Sequence, residues 1–133
     1  MKKLLILAIF FAFSFAGYAQ QQPQNLQQQE QQILHPTVVV GDIAFIGQTL
    51  KTVEIKGSEV NAYLEVEKEV TRILTELQDK KVKLNDSTQI DIPLNIAQNT
   101  LTFMDRATLT GQNAIIYKRF ADALVASAKK SKK

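Results

Sequence analysis

A chain of 133 residues with 45% apolar and 22% charged content is enough for one packed domain and too short for two. It has no cysteine, which excludes disulfide staples, thiolate nucleophiles and Cys-based zinc sites, and its one histidine leaves little for general-base chemistry. The formal charge of +3 belongs to the two ends: without Lys2, Lys3 and the last four lysines, the remaining 10 basic residues face 13 acidic ones, which argues against a nucleic-acid-binding face.

Residues 1–19 carry the parts of a secretory signal: Lys2 and Lys3, an apolar run from Leu4 to Ala16, and the small residues Gly17 and Ala19 ahead of a cut. The run is shorter than the roughly 20 apolar residues that a spanning helix needs. The expectation is therefore a cleaved signal peptide, a mature chain beginning at Gln20, and export to the periplasm, the cell surface or the medium. If it were retained, the same run would act as an anchor. No cysteine follows it to accept a lipid. Residues 20–36 are dominated by glutamine and bury too little apolar surface to offset the ordering of their backbone, so they are expected to form a disordered spacer.

The body is expected over 37–128, as a single mainly α domain of three to four helices. In 37–56, Val39, Ile43, Ile46, Leu50 and Val53 step by 4, 3, 4 and 3, the spacing of a helix. The same stretch is crowded with β-branched residues and holds Gly41 and Gly47, so an extended reading, with "TVEIK" as a strand, stays open beside the helical one. Gly41, Gly47 and Gly57 are also places where another element can approach closely.

The clearest helix runs from Ser58 to about Lys80, where Tyr63, Val66, Val70, Ile73 and Leu77 form one coiled-coil-like stripe. Ser58 is the expected N-cap, and Glu65 with Lys68, Glu69 with Arg72 and Glu76 with Lys80 are spaced for ion pairs. "KVKLNDSTQIDIP" then alternates on both sides of Asn85-Asp86-Ser87, which predicts a short β-hairpin near 82–92 with Val82 and Leu84 facing Ile90 and Ile92. A second helix is expected near Leu94 to Leu109, on Leu94, Ala97, Leu101 and Met104. A third is expected from about Gln112 to Lys129, on Ile116, Phe120, Ala123 and Leu124 beside Tyr117. A short connection at Gly111 makes the two a helical hairpin at the C-terminal end. Residues 129–133 form a basic tail.

No residue pattern selects a catalytic site. His35 lies beside Pro36 at the spacer's edge, where a base would be poorly held. The carboxylates of the long helix and Asp105 fall in no acid-base pair, and "NDSTQID" lacks the central glycine and final Glu of a calcium loop. No metal or cofactor is expected, and no phosphate-binding glycine motif is present. The expected function is that of a small exported, non-enzymatic structural or interaction protein of the bacterial envelope. It would dock on a protein partner or dimerise through the face made by Tyr63, Val66, Val70, Ile73 and Leu77. Lys129, Lys130, Lys132 and Lys133 would add weak contact with an anionic surface. The alternatives are a binding module for a small apolar or anionic ligand and an anchored accessory protein.

Overall fold

The computed structural model describes residues 31–132. The expected signal peptide, the spacer as far as residue 30, and Lys133 lie outside the described residues. Among the described residues, no helix is long and apolar enough to cross a membrane.

The domain is mainly α. Four strands, β1 (Ile33–Leu34), β2 (Thr37–Val39), β3 (Ser87–Gln89) and β4 (Ile92–Pro93), accompany four helices, α1 (Val40–Leu50), α2 (Val60–Asp79), α3 (Leu94–Met104) and α4 (Gly111–Lys130). A short 3-10 turn, Gly57–Glu59, leads into α2.

The expected spacer 20–36 ends sooner than its glutamines suggest. Residues 33–39 pair antiparallel with 87–93, β1 on β4 and β2 on β3, in one continuous register. The ladder breaks at His35–Pro36, where proline has no N–H to give, and resumes with the Ile90 N–H donating to the Pro36 carbonyl at 3.0 Å. Side chains alternate as a half-buried strand requires: Leu34, Pro36, Val38 and Val40 are buried, while Ile33, His35 and Thr37 point outward. The short antiparallel β element expected near 82–92 is thus present, but with a different partner. Ile92 lies opposite Leu34, and Val82 and Leu84 pair with neither isoleucine. The reason is apolar area: the N-terminal strand brings Leu34 and Val38 to the core, whereas Leu84 is 63% exposed.

Val82 instead closes α2. Lys81 takes a left-handed backbone (φ 55), its N–H reaches the Gln78 carbonyl at 2.9 Å, and the Val82 N–H reaches Leu77 at 3.0 Å. This is a Schellman end built on lysine where glycine is usual.

The 37–56 stretch is helical over Val40–Leu50, and "TVEIK", the strand of the extended reading, forms turn and irregular chain instead. The first three residues of the stretch are strand and the helix begins at Val40, keeping Ile43, Ile46 and Leu50 in the core. No side chain caps α1. Its first N–H groups use backbone instead, Val40 donating to Asp86 and Gly41 to Leu84 at 2.8 Å. A side chain at Gly41 would press on that Leu84 carbonyl at 3.1 Å. Gly47 is where α1 meets α2, since a Cβ there would stand 3.2 Å from Val70 Cγ1. Gly57 faces nothing within 4 Å, so close approach is not its role.

On α2, Val66, Val70, Ile73 and Leu77 are buried as the stripe predicts. Ser58 does not cap the helix. It lies in the 3-10 turn, where the Glu59 carboxylate accepts the Lys56 N–H at 3.0 Å. α3 is shorter than expected, ending at Met104, and the connection to α4 is residues 105–110. Gly111 begins α4 and is not the stop between two helices. Leu94 of α3 lies near Lys129 of α4, and the Tyr117 hydroxyl donates to Asp105, so the two helices run antiparallel.

Two buried polar side chains are satisfied internally, one by a pair that joins α1 to α4 and one within α3. Asp42, 3% exposed at its side chain, accepts two hydrogen bonds from Arg119, at 2.7 Å from Nε and 2.6 Å from Nη2. Thr100, fully buried, donates back to the Ile96 carbonyl at 2.7 Å.

Candidate functional site

The face named from the sequence for docking is the one the fold uses for itself. Val66, Val70, Ile73 and Leu77 are covered by this chain's own α1 and α3. Tyr63 is half-buried, with its ring edge-on to Phe103 and its hydroxyl donating to the Leu50 carbonyl at 3.2 Å. Burial raises the Tyr63 pKa, and the Glu67 carboxylate adds to the rise. The reason is economy of area: α2, as long as α4, carries the most sharply divided apolar and polar faces of the four helices, and a body of about a hundred residues needs that apolar face to close over α1 and α3. What α2 leaves outside is Val60 and Leu64, one turn apart and 44% and 52% exposed.

Among the described residues, the most apolar groove between two helices measures about 280 Å³ and lies between α3 and α4, running from the end where α3 begins and α4 finishes. Leu94, Ala97 and Leu101 lie on one side of α3 at steps of 3 and 4, and Leu124, Val125 and Ala128 face them from α4. Leu34 of β1 forms the floor with Ala97 and Leu124, all buried, while Leu94, Leu101 and Ala128 are half-buried walls. Val125 stands at the mouth, 45% exposed. The polar side chains of the lining are Gln98, Lys129 and Lys132, all exposed. Among the described residues, neither lysine makes an ion pair.

The lysines expected as a loose tail therefore divide. Lys129 and Lys130 complete the last turn of α4, where the helix dipole favours cations. Lys129 and Lys132 edge the apolar groove, and Lys130 lines a second, more polar depression on the other side of β1 with His35, Ser127 and Ser131. The signal was legible in part. Leu124, Ala128 and Lys132 step by four, so a cation was bound to continue that apolar line.

His35 is better held than a spacer's edge suggests. Its N–H donates to Ser127 Oγ at 2.9 Å, its carbonyl accepts from Gln89, and its Nδ1 lies 2.6 Å from Asp91 Oδ1. Ser127 Oγ is thereby engaged by backbone, and no hydrogen bond among the described residues joins the imidazole to a serine. Arg72 draws Glu69 and Glu76 together and donates to the Asp91 carbonyl at 3.1 Å, tying α2 to the β ribbon. Those two carboxylates raise the Arg72 pKa, the Glu69 hydrogen bond foremost. Of the expected pairs on α2, Glu69 with Arg72 is formed. Among the described residues, no group of three or more His, Asp and Glu is placed to hold a metal ion.

At the opposite end of α3 the charges are used internally. Arg106 grips both Glu59 oxygens, at 2.7 and 2.6 Å, and lies 5.7 Å over the Phe103 ring. The Arg106 hydrogen bond, with the Lys56 N–H behind it, lowers the Glu59 carboxyl to about 2. Burial, then the hydrogen bond to Asp105, pushes the Tyr117 hydroxyl up to about 12. Compared with family models, with curated proteins and with solved structures, the chain matches none of them.

Proposed function

We propose that this chain is a small exported, non-enzymatic binding module of the bacterial envelope, and that the α3–α4 groove is where it binds. The observation that carries the reading is the groove itself: an apolar channel with a buried floor, edged by two lysines without ionic partners among the described residues. Sites for small ligands are concave and mostly apolar, with a few placed polar groups. Export rests on the Met1–Ala19 pattern alone.

The test is native mass spectrometry of the protein recovered from the exporting cell. The expected result is an N-terminus at Gln20 and an associated small, non-peptide mass. That mass should be lost in Val125→Glu, which charges the mouth without opening the core. A polypeptide starting at Met1 removes the cleaved-signal reading in favour of the anchored one, and an unliganded protein at all loads removes the binding one.

Self-association is the second reading, favoured by exposed Val60 and Leu64. Two side chains cover far less than the roughly 1,200 Å² of a stable interface, so it stands behind the first. Light scattering across a wide concentration range decides it.

A further inference from the structure

We propose that the groove takes a free, single-chain anionic amphiphile, with its alkyl chain between Leu94, Leu101 and Leu124 and its head group between Lys129 and Lys132. This rests on the binding-module reading above and gives it a ligand class.

Three observations lead there. The first is size. The apolar wall from Leu94 to Leu101 spans seven helical steps, about 10 Å at the α-helical rise. That is the length of an extended chain of about eight carbons with C–C bonds near 1.5 Å. The volume of about 280 Å³ lies at the lower edge of ligand sites and leaves room for one such chain.

The second is the chemistry of the walls. Both are sides of helices, whose backbone groups are bonded along the helix, and the floor residue Leu34 lies in a strand already paired with Ile92. A peptide laid in this channel would bury its own N–H and C=O groups against leucine and alanine without partners. An alkyl chain has no such groups to satisfy.

The third is charge. Lys129, in the last turn of α4, and Lys132, in the turn just beyond it, stand three residues apart, the lining contains no carboxylate among the described residues, and neither lysine is paired among them. Both sit at the mouth and not on the floor, so the channel is polarised along its length: apolar inside, cationic at the exit. An amphiphile with a carboxylate or phosphate head is the ligand with the complementary polarity, and a cationic head would be repelled.

The experiment is calorimetric titration of the purified full-length mature protein with hexanoate, octanoate and decanoate below their aggregation limits. Octyl glucoside, octyltrimethylammonium and vesicles of anionic phospholipid are run beside them. Affinity should rise about tenfold per two methylenes as each enters the groove, and should flatten once the channel is full. Octanoate should bind more tightly than either the neutral or the cationic octyl probe. Lys129→Glu with Lys132→Glu, both on the surface, should weaken octanoate about tenfold or more while leaving octyl glucoside unchanged. Ala128→Phe should block all three octyl probes.

Equal affinity for the three octyl heads would overturn the anionic assignment and leave the binding module standing. No saturable binding of any of them would overturn both. Binding to the vesicles with none to free octanoate or decanoate would also overturn the proposal, since a membrane surface and not a free amphiphile would then be the partner.

Discussion

Two regions of α3, its C-terminal end and the side that runs from Leu94 to Leu101, are put to opposite uses. At its C-terminal end, Arg106, Glu59, Tyr63 and Phe103 are locked together: a two-pronged ion pair, a cation over a ring, and two rings edge to face. On that side, Leu94 and Leu101 line an open channel, and the nearest cations, Lys129 and Lys132, have no partner among the described residues. A single helix 11 residues long thus joins a closed joint to an open one. The difference shows where the domain is finished and where it is left with unused binding capacity. A surface whose charges are all answered internally has little to offer a ligand, whereas unanswered charge beside uncovered apolar wall has both halves of a recognition site.

The comparison is broken most sharply by truncating one large side chain in each region. Phe103→Ala at the closed joint leaves a sealed void under Arg106 and beside Tyr63, and should cost about 3–5 kcal/mol. In a domain of this size that is a fall in Tm of about 12 °C or more. Leu101→Ala at the open joint removes a half-buried wall whose space is already open to water. The cavity penalty is absent, and the loss should be about 1–2 kcal/mol. Urea unfolding of the two variants checks this, and equal losses would mean that the groove is as tightly packed as the joint.

The pair that joins α1 to α4 is Asp42 with Arg119, and there the two partners should not be equivalent. Arg119→Ala strands a carboxylate that is 3% exposed, whereas Asp42→Ala frees a guanidinium that already reaches solvent. The first should therefore destabilise more than the second, with the loss falling between those at Phe103 and at Glu59. Thermal unfolding of both variants, with the double variant to close the cycle, measures the order. The reverse order would place the value of the pair in Arg119 packing and not in answering a buried charge.

What could be read in the sequence follows how local each feature is. The stripe Val66, Val70, Ile73 and Leu77 needs only the period of one helix, and it is buried as read. The mainly α class followed from such stripes. The partner of β3 did not: alternation around Ile90 and Ile92 fixes which side faces the core, but says nothing of whether Leu84 or Leu34 lies opposite. That choice is made by apolar area brought from more than fifty residues away, next to a glutamine-rich stretch that masks it. The same limit hid the groove. Leu94, Leu101 and Leu124 were legible as inward-facing positions, but a sequence pattern marks apolar faces and not whether a neighbour covers them. Conversely, the helix stripe that looked like surplus apolar face was fully used by α1 and α3. Lys81 in a left-handed turn, and a helix capped by carbonyls instead of a side chain, carry no local signature at all.

The smallest effect, and the finest probe of the closed joint, is its dependence on pH. Glu59 has its pKa lowered from 4.5 to about 2, by the hydrogen bond from Arg106 first and the Lys56 N–H second. A carboxyl depressed in the folded state adds stability that is fully present above its unfolded value near 4.5 and is lost as pH falls through about 2. The pair is at the surface, so solvent and salt reduce the contribution. Other carboxylates also titrate in this window, which makes the absolute acid limb uninformative. The difference between the native chain and Glu59→Gln isolates this one group. That difference in urea midpoint should be constant from pH 7 to about 5 and should shrink steadily between about 4.5 and 2. In an Arg106→Gln background the shrinkage should be much weaker, because the principal cause of the depression is gone. A difference that stays flat into acid would mean that Arg106 is held by the Phe103 face and the Glu54 carbonyl instead of by the Glu59 carboxylate, and the joint would be closed by packing in place of charge.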